Sequence, residues 1–234
     1  MKINKKISVG MSIVFITILC VGCSNRVDSK SQTTEKTTLA AFESNTEPFI
    51  VLKNKIHPSL PEYIFKVYGQ KKDGLFSASK ISIYNKDDKE DKLQELVFNE
   101  TSTPDGEQLG IVIEDMNFDG YKDIRIQQLL PATGNVPYYY WLWDKEISKF
   151  IKNNELEKIT SPVFDAKSKS IKSNVKEDAT TYYDYEYKYI NNKITLIKEI
   201  QRIGNLEKNV WNITVKELVN NEMKVIKKYE EEIK

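Results

Sequence analysis

Within the nine residues Asp115-Met116-Asn117-Phe118-Asp119-Gly120-Tyr121-Lys122-Asp123, an oxygen-bearing side chain stands at the first, third, fifth and ninth positions, and a glycine stands sixth. Three carboxylates in so short a stretch repel one another unless a cation lies among them. A hard cation such as calcium takes about six to eight oxygens from carboxylates, amides, backbone carbonyls and water. Here Asp115, Asn117, Asp119 and Asp123 would offer side-chain oxygens and Tyr121 its backbone carbonyl, with Gly120 supplying the positive φ that brings the later ligands back. A bare hairpin turn at Asp119-Gly120 is the simpler reading. A turn alone, however, has no use for Asp115, Asn117 or Asp123.

The rest of the chain offers little other chemistry. His57 is the only histidine, so a histidine-based triad or zinc site would have no second imidazole. The nine glycines are scattered and form no phosphate-binding loop. A glycan hydrolase working through two carboxylates is an alternative, but nothing singles out a pair among the 34 acidic residues. The expectation is a binding protein, not an enzyme.

The N-terminus reads as an export signal over residues 1–22. Lys2, Lys5 and Lys6 precede an apolar run from Ile7 to Val21 that is short for a membrane span. Removing those 22 residues takes away three lysines and leaves 32 basic against 34 acidic side chains, a net of −2. That balance gives no reason to expect nucleic acid as a partner. One cysteine, Cys23, would remain, so no disulfide framework is available. Residues 23–47 are dominated by Ser, Thr, Asn, Lys and Glu and cannot bury enough apolar surface to offset ordering. They read as a flexible linker with an end-to-end distance of about 25–30 Å.

Residues 48–234 carry short runs of alternating apolar residues, the mark of half-buried strands. Tyr63–Tyr68, Ile81–Tyr84, Leu93–Phe98, Tyr138–Trp143, Tyr182–Ile190, Ile194–Ile200 and Trp211–Val219 are the clearest. Asn191-Asn192 and Asn220-Asn221 suit two-residue hairpin turns, because Asn tolerates the left-handed conformation. Met223–Tyr229 reads as a strand, although Met223, Ile226, Tyr229 and Ile233 also fit a helical stripe. The expected fold is all-β, with antiparallel hairpins in a propeller-like or sandwich arrangement and one calcium-binding loop. Tyr183, Tyr185, Tyr187 and Tyr189 share one strand face, with Asp184, Glu186 and Lys188 on the other. The tyrosines are either inner-face core or an aromatic docking surface.

Three resemblances rest on these residues. The Asp115–Asp123 stretch resembles the calcium loop of FG-GAP/VCBS-type repeats. It departs from an EF-hand, whose twelfth position is a bidentate Glu, since Ile126 stands there. Gly22-Cys23 resembles the lipobox of bacterial lipoproteins, with Cys20 where Leu is usual. This implies a lipidated Cys23, a membrane contact through the lipid, and a protein held on the extracytoplasmic face of the cell membrane. The order of an Asp-rich loop, Gly134-Asn135, the aromatic run Tyr139–Asp144, Phe150, Phe164-Asp165, Ile171 and Tyr187 resembles envelope lipoproteins with one calcium loop in a propeller-like fold. Some of those act as immunity proteins inhibiting lysozyme-like peptidoglycan hydrolases. Their inhibitory loop carries Gly, four residues, then Tyr-Glu. Tyr185-Glu186 matches its end and marks those two residues as partner-binding, while Thr180 replaces the glycine. The implied partner is an envelope protein or a peptidoglycan hydrolase.

The anchor is directly testable. Mass spectrometry of the membrane fraction should find Cys23 lipidated at a new N-terminus, and Cys23→Ala should leave the precursor uncleaved. An intact, unmodified N-terminus in the native chain would remove the lipoprotein reading.

Overall fold

A computed structural model of the protein describes residues 47–87, 92–104 and 110–233. The signal segment, Cys23 and nearly all of the linker therefore lie outside the described residues. The described chain is all-β, in three antiparallel sheets, none of them closed. Sheet 1 has the order β1 (Ile50–Lys55), β2 (Glu62–Lys72), β3 (Leu75–Asn85), β4 (Lys92–Val97), with β5 (Thr103–Pro104) added beside β3. Sheet 2 runs β6 (Ile111–Glu114), β7 (Asp123–Gln127), β8 (Tyr138–Asp144), β9 (Lys149–Lys152). Sheet 3 runs β10 (Pro162–Asp165), β11 (Ser170–Lys176), β12 (Thr181–Ile190), β13 (Lys193–Asn205), β14 (Val210–Val219), β15 (Glu222–Glu232). Apart from β5, each strand pairs with its neighbour in the chain.

The alternation of apolar residues dictates the layers. In β2, β3 and β4, Tyr63, Phe65, Val67, Ile81, Ile83 and Leu96 turn inward. In β6 to β9, Ile111, Ile124, Ile126, Trp141, Trp143 and Phe150 turn to meet them, giving a first core between sheets 1 and 2. The aromatic rings interlock edge-on there: Trp143 and Phe150 lie 5.0 Å apart at 71°, and Phe65 and Phe150 6.1 Å apart at 66°. The opposite face of sheet 2 contributes Tyr140 to a second core with Met116, Leu156, Ile159 and Ile171 of β11. Sheet 2 is thus the shared middle layer of a sandwich-like stack.

Hairpin chemistry fixes the registers. Asn191 and Asn192 have φ of 50° and 60°, and Asn220 and Asn221 have 54° and 64°. Two consecutive left-handed residues make the tight turn whose twist matches the flanking strands. Asp73 and Gly74 (φ 54° and 76°) close β2 to β3 in the same way. At Gly69 a Cβ would stand 2.1 Å from the Ser77 carbonyl oxygen, so the irregular pairing of β2 with β3 at that point admits only glycine. Residues 222–232 are strand throughout. The register shift between Val215 and Lys216 leaves Ile226 as an extra residue on β15, which disturbs the two-residue period and mimics a helical stripe.

Two amide side chains join the layers as if each were one residue of an extra strand. Gln94 donates its Nε2 to the Phe150 carbonyl at 2.7 Å and accepts from the Phe150 N–H at 2.8 Å, fastening β4 to β9. Asn135 donates its Nδ2 to the Lys176 carbonyl at 2.8 Å and accepts the Lys176 N–H at 2.9 Å, fastening the loop before β8 to β11. Gln94→Ala should cost about 1–3 kcal/mol, since it strands partly buried backbone groups, and the more exposed Asn135→Ala about 0.5–1.5 kcal/mol. Urea titration should show both as lower midpoints with an unchanged slope.

Candidate functional site

The Asp115–Asp123 loop connects β6 to β7, and its backbone is held largely by its own side chains. Asp115 accepts the Asp119 N–H at 3.1 Å through Oδ1 and the Gly120 N–H at 2.9 Å through Oδ2. Asn117 Oδ1 also accepts the Asp119 N–H, and Asn117 Nδ2 donates to Asp119 Oδ2 at 2.9 Å. Asp119 Oδ1 accepts the Tyr121 N–H at 2.9 Å. Short polar side chains bonding to backbone a few residues on are the device that lets Asp and Asn build turns. Gly120 has φ 94°, as the sequence requires, and Phe118 shares the left-handed region at 63°. That conformation is rare for a bulky aromatic residue.

Asp123 differs from the others because it is fully buried. Its Oδ2 accepts the Met116 N–H and its Oδ1 the Trp143 N–H, both at 2.8 Å. Burial pushes its carboxyl up to about 7; the two N–H bonds pull the other way, and the charges of Asp119 and Asp115 add to the push. Among the described residues, none of Asp115, Asp119 and Asp123 forms an ion pair.

The donor chemistry fits a hard cation: three carboxylates and an amide oxygen in one loop, with their charge uncompensated. Among the described residues, no group of three or more His, Cys, Asp or Glu side chains gathers around one point as a metal site would need. The loop oxygens are turned instead to backbone N–H groups. Each carboxylate oxygen keeps a second lone pair beyond the bond it accepts.

The loop touches all three sheets. Lys122 donates its backbone N–H to the Ile56 carbonyl at 2.9 Å and its Nζ to Asn54 Oδ1 at 3.0 Å. Tyr121 stacks on His57 with ring centroids 4.3 Å apart at 22°. His57 also accepts or donates at Nδ1 to Ser59 Oγ at 2.7 Å, so the only histidine is a packing residue between sheet 1 and the loop. On the other side, Met116 is buried in the second core, and Phe118 meets Tyr189 of β12 edge-on at 6.4 Å and Phe164 of β10 at 6.5 Å. The Tyr189 hydroxyl is buried without a hydrogen-bond partner. Burial raises it first, and the charges of Asp123, Asp119 and Asp115 raise it further.

Tyr185 and Glu186 lie in the middle of β12, paired on both sides, and not on a projecting loop. Strand alternation sends their side chains to opposite faces. The tyrosine row divides between core and groove. Tyr187 and Tyr189 pack into the second core. Tyr183 and Tyr185, parallel at 3° with centroids 5.6 Å apart, line a groove with Asn135, Glu199, Gln201 and Lys216. Gln201 donates to the Tyr183 hydroxyl at 2.8 Å, and Lys216 pairs with Glu199 at 2.7 Å.

Glu186 opens on a groove of about 360 Å³ across the outer face of sheet 3, which sequence reasoning did not find. Its cross-strand neighbours are Lys172 and Lys198. Each lysine is engaged elsewhere: Lys172 with Asp165 at 3.2 Å and Lys198 with Glu217 at 3.1 Å. Asp184, two residues away, holds Arg202 and accepts from Asn174 at 2.6 Å. Glu186 has no hydrogen bond or ion pair among the described residues. Val163, 63 % exposed, and Ile200 form apolar parts of the groove lining.

An all-β, three-sheet stack with an acidic inter-strand loop is the class of protein these features define. No protein-family model matches the chain, and no curated protein does. Among solved structures, a Xanthomonas type IV secretion system related protein is similar, with a TM-score of 0.58 and 15% sequence identity. The likeness covers 76% of this chain and 98% of that one, and at this identity it shows a shared fold.

The two kinds of loop aspartate should respond differently to truncation. Asp123→Ala leaves two buried N–H groups without an acceptor and should cost about 2–4 kcal/mol in chelator. Asp119→Ala, at an exposed position, should cost about 1 kcal/mol in chelator. Denaturant titration of both variants in chelator measures the contrast.

Proposed function

We propose that this protein is a binding module held at the cell envelope by lipid on Cys23. In this reading calcium at the Asp115–Asp123 loop stiffens it, and sheet 3 engages a macromolecular partner without turnover. The observation that supports binding is the unpaired Glu186 carboxylate in its groove. Two flanking lysines that would ordinarily neutralise it are committed to other carboxylates. A half-buried carboxylate without a counter-charge can take a charge-assisted hydrogen bond from a cation outside. The complementary group is a lysine or arginine of a partner protein, its aliphatic stem lying along Val163 and Ile200 and its charged head at Glu186.

Calcium would be held by Asp115, Asn117, Asp119 and Asp123 with the Tyr121 carbonyl. Its positive charge would supply what the loop lacks, keeping the three carboxylates ionised together. An envelope setting agrees with the export signal and lipobox-like cysteine. It also agrees with the description of the Xanthomonas neighbour as related to a secretion system. Inhibition of a lysozyme-like hydrolase is the narrower form of the proposal. With Tyr185 and Glu186 on opposite faces of β12, the groove favours docking onto a partner's surface over insertion of both residues into a cleft.

Millimolar calcium should raise the melting temperature of the full chain, and Asp119→Ala should abolish the response. A hundredfold excess over Kd corresponds to about 2.7 kcal/mol. Equal melts in calcium and in chelator would remove the metal. For the partner, capture from envelope extract should be lost with Glu186→Lys and weakened with Glu186→Ala. A parallel turbidity assay of cell-wall lysis decides whether the captured partner is a hydrolase. Peptidoglycan hydrolysis by the protein alone would overturn the reading.

A further inference from the structure

We infer that Phe118 makes the Asp115–Asp123 loop a latch on sheet 3, so that whatever orders the loop also fixes the strand that carries Glu186. The inference concerns regulation of the groove proposed above and rests on that reading only for its biological consequence.

Residue type alternates along the loop. Asp115, Asn117 and Asp119 bond to loop backbone on the exposed side, while Met116 and Phe118 enter the second core. Phe118 sits between the two sets in a conformation that bulky residues avoid, with φ 63°. Two things hold it there. The Asp115 and Asn117 bonds close the backbone around it on one side, since both side chains accept the Asp119 N–H immediately after it. On the other side its ring lies edge-on to Tyr189 and tilted against Phe164. Releasing the loop lets Phe118 relax toward an ordinary φ, which takes the ring away from Tyr189.

Tyr189 transmits the effect. It is three residues from Glu186 on β12 and belongs to the second core, and its hydroxyl is buried without a partner close to the loop aspartates. The opposite end of β11 is pinned separately by Asn135 and by Ser173, which donates to the Thr160 carbonyl at 2.6 Å. Sheet 3 is held to sheet 2 at further points, among them Arg125 Nη1, which donates to the Pro162 carbonyl at 3.0 Å, and the contacts of Met116 and Phe118 are the ones that run through the acidic loop. Calcium is the natural effector, because a cation shared by the loop oxygens would tighten the backbone on both sides of Phe118.

Hydrogen exchange on the full chain tests the latch, read separately in the loop (Asp119–Tyr121) and in β12 (Tyr187–Ile190). Asp119→Ala in chelator should accelerate exchange in both segments by at least about threefold. Phe118→Leu and Phe118→Gly should accelerate β12 while leaving the loop amides near their native rates. Glycine relieves the backbone strain and leucine retains apolar bulk, so agreement between them separates loss of the ring from general damage. Added calcium should slow both segments in the native chain and only the loop in the Phe118 variants. If β12 exchange is unchanged in Asp119→Ala and in both Phe118 variants, the latch is overturned. If calcium slows the loop but not β12 in the native chain, calcium binds and the latch is wrong. If calcium changes neither segment, the metal proposal fails, and the Asp119→Ala and Phe118 arms still decide the latch.

Discussion

The buried carboxylate of Asp123 is the constraint on which the arrangement of loop and sheets depends. A carboxylate taken wholly out of water is tolerated only where its oxygens meet good donors. Asp123 satisfies this by taking one N–H from Met116, at the start of the acidic loop, and one from Trp143, near the end of β8. Those two bonds tie the loop to the central sheet, and they set Met116 into the second core and Trp143 into the first. Neither core would keep its present edge if the carboxylate turned away.

From that point the layers follow by repetition of one solution. A strand edge must satisfy its N–H and C=O groups or expose them. Where two sheets meet at an edge here, a side-chain amide takes the place of a peptide: Gln94 on Phe150, Asn135 on Lys176. The carboxamide has the same donor and acceptor as the backbone, at nearly the same spacing. Stacked sheets can therefore be joined without being continuous, which is how three open meanders share one middle layer. Among the described residues the outer face of sheet 3 has no such covering layer, and it is there that an acidic side chain is left without a counter-charge.

Much of this was legible in the sequence. The all-β class and most strands followed from two-residue alternation, and the two Asn-Asn turns from the tolerance of asparagine for positive φ. β1 was missed because Ile50–Lys55 follows a polar stretch and its outward positions are exposed. Asp73-Gly74 was overlooked although its chemistry is that of the Asn-Asn turns. β15 looked partly helical because an edge strand exposed along nearly all its length has no buried face to impose alternation. At the candidate site the oxygen spacing and the need for Gly120 could be read directly. The separate character of Asp123 could not, since its second donor comes from Trp143, twenty residues on. The unpaired state of Glu186 was equally hidden, because it depends on which carboxylates two neighbouring lysines choose.

The meander order of the sheets bears on how such a chain acquires its structure. Nearly every strand pairs with one already adjacent in the chain, so closing each hairpin costs little loop entropy. A polypeptide synthesised N-terminus first can build sheets 1, 2 and 3 in the order in which they emerge. The first core needs only residues up to about Phe150. The second closes when Ile171 and Tyr189 arrive. Until then Tyr140, Met116 and Phe118 lie on an uncovered face, which makes the interval between synthesis of β9 and β12 the stretch in which a chaperone or a neighbouring chain has most to bind.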